Sequence, residues 1–389
     1  MVDRLHHIDR HTALFLLKNC FAMPKLTFIL RCAPCFSDDL ALSSFDSSLR
    51  SALISLGNFR LDDLGWQQAT LPLHRGGLGF RSTSDVALPA FLSSSYASAP
   101  LVAEILHTEV TDTRALSAAA SLWSAIHERQ PENKSSQRDW DSINSERIAT
   151  HLLPSLDQHR LACFAAASHP ASGAWLQAVP SSSTGTLLDD ETMRIGVAQR
   201  IGLPVCEPHP CRCGGTVDER GLHPLSCKRS AGRFPRHTAL NDILKRALDA
   251  AGIPSCLEPA GLDRGDGKRP DGLTLVPFSK GRSLVWDATC VDTYAATNIV
   301  ASACDAGSAA TSAEEAKVAK YSNLADRFTV QPFAVETSCA IGPSSLSFLR
   351  EVGKRAAILK REPRESQWLL QRVGLAIIRG NATSIRLSG

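Results

Sequence analysis

The chain has 389 residues, of which 43% are hydrophobic, and 42 basic against 39 acidic side chains leave a formal net charge of +3. This length predicts two or three domains, and the composition is that of a soluble globular protein with real cores rather than a disordered chain. The first ten residues are rich in charge and histidine, and the apolar run 13–30 is interrupted by Lys18, Pro24 and Lys25. We therefore expect neither a secretory signal nor a membrane span.

The N-terminal half is predicted to be mainly helical. Leucines at helical spacing over 11–56 predict helices separated by Pro24 and Pro34, with Ser37 and Asp38 as possible caps. The glycines of 76–80 predict a tight turn before a helix that starts near Ser84. Residues 101–200 continue mainly as helix, broken by two polar stretches, 130–137 and 180–185, and the second of these resembles a linker.

Cysteine usage indicates a metal site rather than disulfides. The twelve cysteines are scattered along the chain, which favours a reducing compartment. One cluster has the spacing of a metal centre, because Cys211 and Cys213 are followed by His223 and Cys227. Three thiolates and an imidazole are the ligands of a closed structural zinc site. The Cys-x-Cys start is shorter than usual, and Cys206 is an alternative to Cys211.

The C-terminal part alternates between helices and strands. Predicted elements are a helix over 237–251, a strand over 255–258, a hairpin over 273–290, a helix over 311–326, a strand over 328–337, and helices over 344–360 and 365–379. This alternation predicts an α/β domain with a mixed central sheet, an order that also fits a nuclease core.

Two aspartates stand at matching ends of the predicted hairpin strands. Asp271 precedes the β-rich run 273–278, residues 279–282 have turn chemistry, and Asp287 lies on the returning strand. The hairpin should bring the two acids side by side, where a cation would offset several kcal/mol of repulsion. We therefore predict that Asp271 and Asp287 bind Mg²⁺, the alternative being a solvated hairpin with incidental acids.

Further site residues are expected around this pair. Lys317, Lys320 and Tyr321 share one helical face, so either lysine could reach a phosphate in front of the hairpin. We name Lys320 first and Lys317 second, and the alternative pairs them with Glu314 and Glu315 on an exposed helix. Glu258 ends the preceding strand and could add an oxygen ligand, or could simply be a surface residue.

Basic residues flank the hairpin in the sequence. Segment 228–282 holds 11 basic against 6 acidic residues, and 350–389 holds 9 against 3, which suits a polyanionic partner. At the start of a helix, Arg236 and His237 are candidates for contact with a backbone phosphate, and the alternative is ordinary solvent exposure. Arg269, next to the hairpin acids, is a third nucleic-acid candidate.

These motifs together resemble the C-terminal part of the polyprotein of non-LTR retrotransposons that carry a restriction-like endonuclease. In that family a Cys-Cys-His-Cys knuckle precedes an endonuclease of the PD-(D/E)XK type. The order here is the same, with the cysteine cluster, then Arg236-His237, Arg269-Pro270-Asp271 and Asp287. Thr289 stands where a nearby lysine would be expected, and the lysine is displaced onto the following helix. The segment 76–80 is similar to the thumb that follows the polymerase palm in such reverse transcriptases.

The resemblance implies a domain order and a function. It implies a thumb-like helical region over 1–100, a helical linker region over 101–199, a zinc knuckle over 200–230 and the restriction-like endonuclease over 231–382. The implied activity is Mg²⁺-dependent nicking of target DNA in the nucleus, with structural zinc and with element RNA as a second candidate partner. The pairs Asp38-Asp39 and Asp62-Asp63 lack the context of a polymerase palm, so no reverse transcriptase activity is expected. The alternatives are a noncatalytic nucleic-acid-binding remnant and a truncated product that does not accumulate.

Overall fold

Two structural units, Met1–Leu156 and Asp157–Gly389, divide the chain in the computed structural model, which describes residues 2–107, 113–262 and 269–389. In the first unit the described residues form α-helices and short 3-10 or π turns. Its helices are α1 (Val2–Leu5), α2 (Arg10–Leu16), α3 (Met23–Cys32), α4 (Asp39–Gly57), α5 (Asp63–Thr70), α6 (Thr83–Leu106), α7 (Arg114–Ile126) and α8 (Gln137–Leu152).

The helix starts in the first unit follow from their capping residues. The Asp38 side chain accepts a hydrogen bond from the Ala41 N–H at 3.0 Å and begins α4, and Ser82 caps α6, so both predicted starts are confirmed. The predicted glycine turn is also present, because Gly76 and Gly79 have φ of 83° and 79°. Helices α7 and α8 pack through aromatic side chains. The buried rings of Trp123 and Trp140 meet edge to face, with their centroids 4.6 Å apart.

Two helical segments of the first unit are long and apolar enough to cross a membrane by length and composition. They are Arg10–Cys32, which includes the π turn between α2 and α3, and Thr83–Leu106, which is α6. Their most apolar windows are 28% and 44% buried in the fold, and buried core helices of soluble proteins have the same composition. The expectation of no membrane span remains a prediction.

The second unit combines helices with two small sheets. Its helices are α9 (Gln158–Ser168), α10 (Asp190–Arg200), α11 (His223–Ser226), α12 (Arg233–Ala250), α13 (Ile299–Cys304), α14 (Ser308–Lys320), α15 (Pro343–Lys360) and α16 (Glu365–Arg386). Its strands are β1 (His209–Pro210), β2 (Thr216–Val217), β3 (Ser255–Leu257), β4 (Gly272–Thr274), β5 (Leu284–Val291) and β6 (Thr329–Glu336).

The larger sheet has the strand order β3-β4-β5-β6, with the first two pairs antiparallel and β5–β6 parallel. This confirms the predicted α/β class with a mixed central sheet. Strand β5 is buried over most of its length, and Trp286 and Phe333 are among the largest fully buried side chains. Helices α12, α14 and α15 pack against the strands, and α16 packs against α12 and α15.

The structure differs from the predicted elements where some of them end and in one additional helix. The run 273–278 is a strand only to Thr274. The Thr274 hydroxyl donates to the carbonyl of Val276, and Pro277 has no N–H to donate to a neighbouring strand. The predicted turn is present, since Lys280 and Gly281 both have positive φ between the paired Ser279 and Arg282. Helix α13 was not predicted, and α16 extends to Arg386 rather than ending at 379.

Candidate functional site

Asp271 and Asp287 lie on neighbouring segments of the chain. Asp287 is on β5, and Asp271 directly precedes β4, whose register pairs Gly272 with Trp286. The charges of both aspartates act on His237. The Asp271 N–H donates to the Trp286 carbonyl at 2.9 Å, and the Ala288 N–H donates to Asp271 Oδ2 at 2.7 Å. The backbone of β5 thus orients one of the two carboxylates.

Both predicted lysines reach Asp287. Lys317 Nζ lies 2.6 Å from Oδ1 and Lys320 Nζ lies 2.8 Å from Oδ2, both from the last turn of α14. The Asp287 side chain is only 7% exposed, whereas the lysines are 21% and 27% exposed. Burial acts to raise the pKa of Asp287, but Lys317 above all, with Lys320 and Tyr321, outweighs burial and holds the pKa below its usual value.

The alternative of an exposed helix with Glu–Lys pairs is wrong at Glu314. This carboxylate is buried at 6% exposure and accepts the backbone N–H groups of Ser344 at 3.1 Å and Ser345 at 2.7 Å. Glu314 therefore caps the start of α15, because unpaired N–H groups and the positive end of the helix dipole favour an acid there.

His237 pairs with Asp271. Its Nε2 lies 3.0 Å from Asp271 Oδ2, and its side chain is 44% exposed. The hydrogen bond to Asp271, helped by the charges of Asp271 and Asp287, raises the pKa of His237 above its usual value against the effect of burial. One turn further along α12, Asn241 Oδ1 accepts the indole N–H of the buried Trp286 at 3.0 Å. The predicted phosphate ligand is thus also a partner of the carboxylate pair.

Asn241 was missed by the sequence reasoning. It stands four residues after His237 on the same face of α12, and a polar residue at that spacing beside a predicted site residue is the signal that could have identified it. Its bond to Trp286 fixes α12 against β5, and this positions His237 over the hairpin.

Glu258 and Arg269 pair with each other at the edge of this site. Glu258 has a φ of 49°, and its side chain is 72% exposed and forms an ion pair with Arg269. Its backbone N–H reaches the Asp271 carbonyl at 2.8 Å, so the predicted residue lies beside the pair while its carboxylate points to Arg269. The Tyr321 hydroxyl donates to the Arg269 carbonyl at 3.0 Å. The structure therefore brings the two lysines to Asp287 and leaves the Glu258 carboxylate apart.

Arg236 does not fit its predicted contact with a phosphate. It is 2% exposed, and its guanidinium donates to Asn381 Oδ1 and to the Leu225 carbonyl, both at 2.7 Å. A side chain this deeply buried and bonded joins α11 to α16 instead. The sequence shows only a basic residue at a helix start, and its partner lies 145 residues further on.

The Cys/His cluster forms a second centre. Within the described residues, Cys211, Cys213, His223 and Cys227 place their ligand atoms within 4.8 Å of one another, and this set could hold a metal such as zinc. The two buried sulfurs, of Cys211 and Cys227, are 3.9 Å apart, close to the separation of about 3.8 Å between sulfurs on a tetrahedral zinc with bonds of about 2.3 Å. Cys213 Sγ lies 3.0 Å from His223 Nε2.

Local backbone geometry shapes this cluster. The Gly215 N–H points to Cys213 Sγ at 3.4 Å and, together with His223, lowers the pKa of Cys213 to about 6. Burial raises the pKa of Cys227. A Cβ on Gly215 would lie 2.9 Å from the His223 ring, so glycine is needed for the close approach. The alternative ligand Cys206 does not replace Cys211, because its Sγ contacts the Asp218 carbonyl at 3.2 Å.

The cluster is tied to the end of the chain. The Arg212 N–H and Nε donate to the carbonyls of Ser388 and Gly389, both at 2.9 Å, and His209 Nε2 lies 2.7 Å from the Ser388 hydroxyl. These contacts attach the Cys/His segment to the residues that follow α16. No protein-family model matches the chain, and no curated protein is similar enough to count as a match.

Proposed function

We propose that this chain is the C-terminal region of a non-LTR retrotransposon protein and that its second unit is a Mg²⁺-dependent DNA endonuclease. The observation that carries the proposal is the placement of Asp287 on β5 and of Asp271 directly before β4, with two lysine amines within 3 Å of the buried carboxylate of Asp287. The order of α12 to β6, a helix, three strands, two helices and a strand, supports it, as does the Cys/His cluster that precedes this core.

Carboxylate oxygens are the ligands that Mg²⁺ prefers, so Asp271 and Asp287 would hold it. When bound, the ion would stabilise negative charge on the phosphate and lower the pKa of an attacking water. Both Asp287 oxygens accept lysine hydrogen bonds, so a cation at this carboxylate competes with at least one ammonium group. An ammonium group released in this way could donate to a phosphate oxygen or to water, and Lys320, with 27% exposure against 21% for Lys317, would have the freer approach.

A nicking assay on supercoiled plasmid with MgCl₂ tests this proposal. We expect Asp271→Asn and Asp287→Asn to reduce nicking at least about 100-fold while DNA binding changes little, because the substitutions keep the shape of the side chain. Glu258→Gln is the matched control and should retain activity, since its carboxylate pairs with Arg269. Equal nicking by parent and Asp271→Asn would reject the assignment.

The second candidate is a noncatalytic nucleic-acid-binding remnant. One observation favours it, namely that the charges around Asp287 are already balanced by Lys317 and Lys320 without a metal. Binding to DNA or RNA that weakens steeply with salt, without Mg²⁺-dependent nicking, would support this alternative.

A further inference from the structure

A groove with arginines on two walls lies between α12 and α16, away from the hairpin acids. Its volume is about 530 Å³. Arg246 comes from α12, and Arg372 and Arg379 come from α16. Among the described residues that line it there is no aromatic ring on which a base could stack. The lining also includes Gly185, Ala239 and Asp242.

The groove faces away from the hairpin. On α12 it uses Ala239, Asp242 and Arg246, whereas His237 and Asn241 of the same helix contact the hairpin. Successive helical residues are about 100° apart, so Ala239 and Arg246 point about 160° to 180° from His237. A ligand in the groove would therefore lie on the side of α12 opposite to the carboxylates.

The arginine charges are only partly neutralised. Arg246 donates to the Asp242 carboxylate at 3.0 Å, and its side chain is 78% exposed. Arg372 is 47% exposed and lies 3.7 Å from Glu365, which also accepts from Lys360 at 3.1 Å. Arg379 Nη2 donates to the carbonyls of Gly185 and Leu187 at 2.6 and 3.0 Å. Carbonyls position a guanidinium without cancelling its charge, so the groove keeps a positive excess.

We propose that this groove binds the phosphate backbone of a nucleic acid through Arg246, Arg372 and Arg379. Planar guanidinium groups bind phosphate oxygens in pairs of hydrogen bonds. Arg372 and Arg379 are seven residues apart, or about 10.5 Å along α16, so their guanidinium groups can contact different phosphates of one strand. An open groove without a stacking ring suits the sugar–phosphate backbone, and binding there does not depend on sequence.

The test measures DNA affinity of the full chain in magnesium-free buffer as a function of salt. A labelled duplex of random sequence is titrated with the parent and with Arg246→Gln/Arg372→Gln. Loss of two phosphate contacts should lower the slope of log affinity against log salt by about 1.8 and the affinity roughly tenfold. Arg379 is left unchanged because it also holds residues 185–187.

Two controls separate the groove from bulk charge. Lys245→Gln/Lys354→Gln removes the same charge from α12 and α15 outside the groove and should leave the slope unchanged. Asp242→Asn removes the acid that holds Arg246 and should tighten binding. Equal losses in the two double variants, or displacement of the duplex by micromolar inorganic phosphate, would overturn the proposal. Salt-dependent binding through the groove, together with no nicking in the separate assay with MgCl₂, would keep this proposal and reject the nuclease.

Discussion

The second unit contains two polar centres, the Cys/His segment and the hairpin acids. They differ in the packing around them and in the groups that compensate their charges. In the Cys/His segment, β1 and β2 have two residues each and α11 has four, and its small core consists of Val217 with Cys211 and Cys227. At the hairpin, Asp287 belongs to a four-stranded sheet packed by α12 and α14, and Asp271 directly precedes strand β4 of that sheet. The first centre therefore has only a minimal core, whereas the second lies in a larger one.

The difference extends to charge. Asp287 is compensated by two ammonium groups, and Asp271 by His237 and a backbone N–H, so the hairpin site is internally balanced. In the other centre, the Gly215 N–H and His223 lower the pKa of Cys213, and three cysteine sulfurs lie close together without a lysine or arginine hydrogen-bonded to them among the described residues. We therefore expect the Cys/His segment to depend on a metal for its folding and the hairpin site to fold without one.

The largest expected effect is loss of the Cys/His segment when a ligand is removed. Structural zinc sites in isolated peptides are worth roughly 10 to 16 kcal/mol, so Cys213→Ala or a chelator should unfold the segment locally. Metal analysis of the purified protein should find zinc in the parent and not in the variant. Hydrogen exchange should show faster exchange at 206–230 and little change in β5.

Cys206→Ala is the matched control for that prediction, because its Sγ contacts the Asp218 carbonyl and not the ligand atoms. It should keep its zinc. Zinc loss equal to that of Cys213→Ala would mean that Cys206 is a ligand, and unchanged exchange at 206–230 after chelation would remove the contrast between the two centres.

The second effect concerns the balanced charges at the hairpin. Asp287→Ala leaves two lysine ammonium groups without their acid, and breaking a fully buried pair costs about 3 to 5 kcal/mol. Because both lysines reach water, we expect about 2 kcal/mol, or a fall in Tm of about 4 to 8 °C for a unit of this size. Urea unfolding monitored by circular dichroism measures it.

A triple variant provides the control. Changing Lys317 and Lys320 to Met together with Asp287→Ala removes the stranded charges and should recover part of the lost stability. No recovery would show that the acid acts through packing. In that case the hairpin centre would not be charge-balanced in the sense proposed.

Local patterns predicted much of this site, and contacts between distant segments were harder to predict. The cysteine spacing, the turn at 279–282 and the helical offset between Lys317 and Lys320 all act over a few residues, and the structure has each of them where the sequence indicates. Apart from the short helix α13, the predicted order of helices and strands in the C-terminal part is also confirmed, since periodicity and turn residues determine it.

Residues whose roles depend on distant partners were predicted less well. Arg236 has the sequence context of a phosphate ligand, but it is buried and donates hydrogen bonds to Asn381 and to the Leu225 carbonyl. Glu314 was considered only as a partner of Lys317, yet it caps α15, which begins 29 residues later. Neither partner is signalled by spacing along the chain, because tertiary packing brings the segments together.

The smallest effect tests the balance at Asp271 through pH. The pKa of His237 is raised in the folded state, so its bond to Asp271 stabilises the fold fully below the unfolded pKa of about 6.5 and loses this effect as pH rises through the folded value. Because His237 is half exposed, solvent screening should keep the contribution below about 1 kcal/mol. His237→Gln should therefore destabilise the protein more at acidic than at alkaline pH in urea unfolding without magnesium.

Asp271→Asn should abolish the same pH dependence, and the double variant should lose no more of it than either single one. If His237→Gln and the parent differ equally at every pH, the histidine only packs against the hairpin, and Asp271 relies on the Ala288 N–H alone.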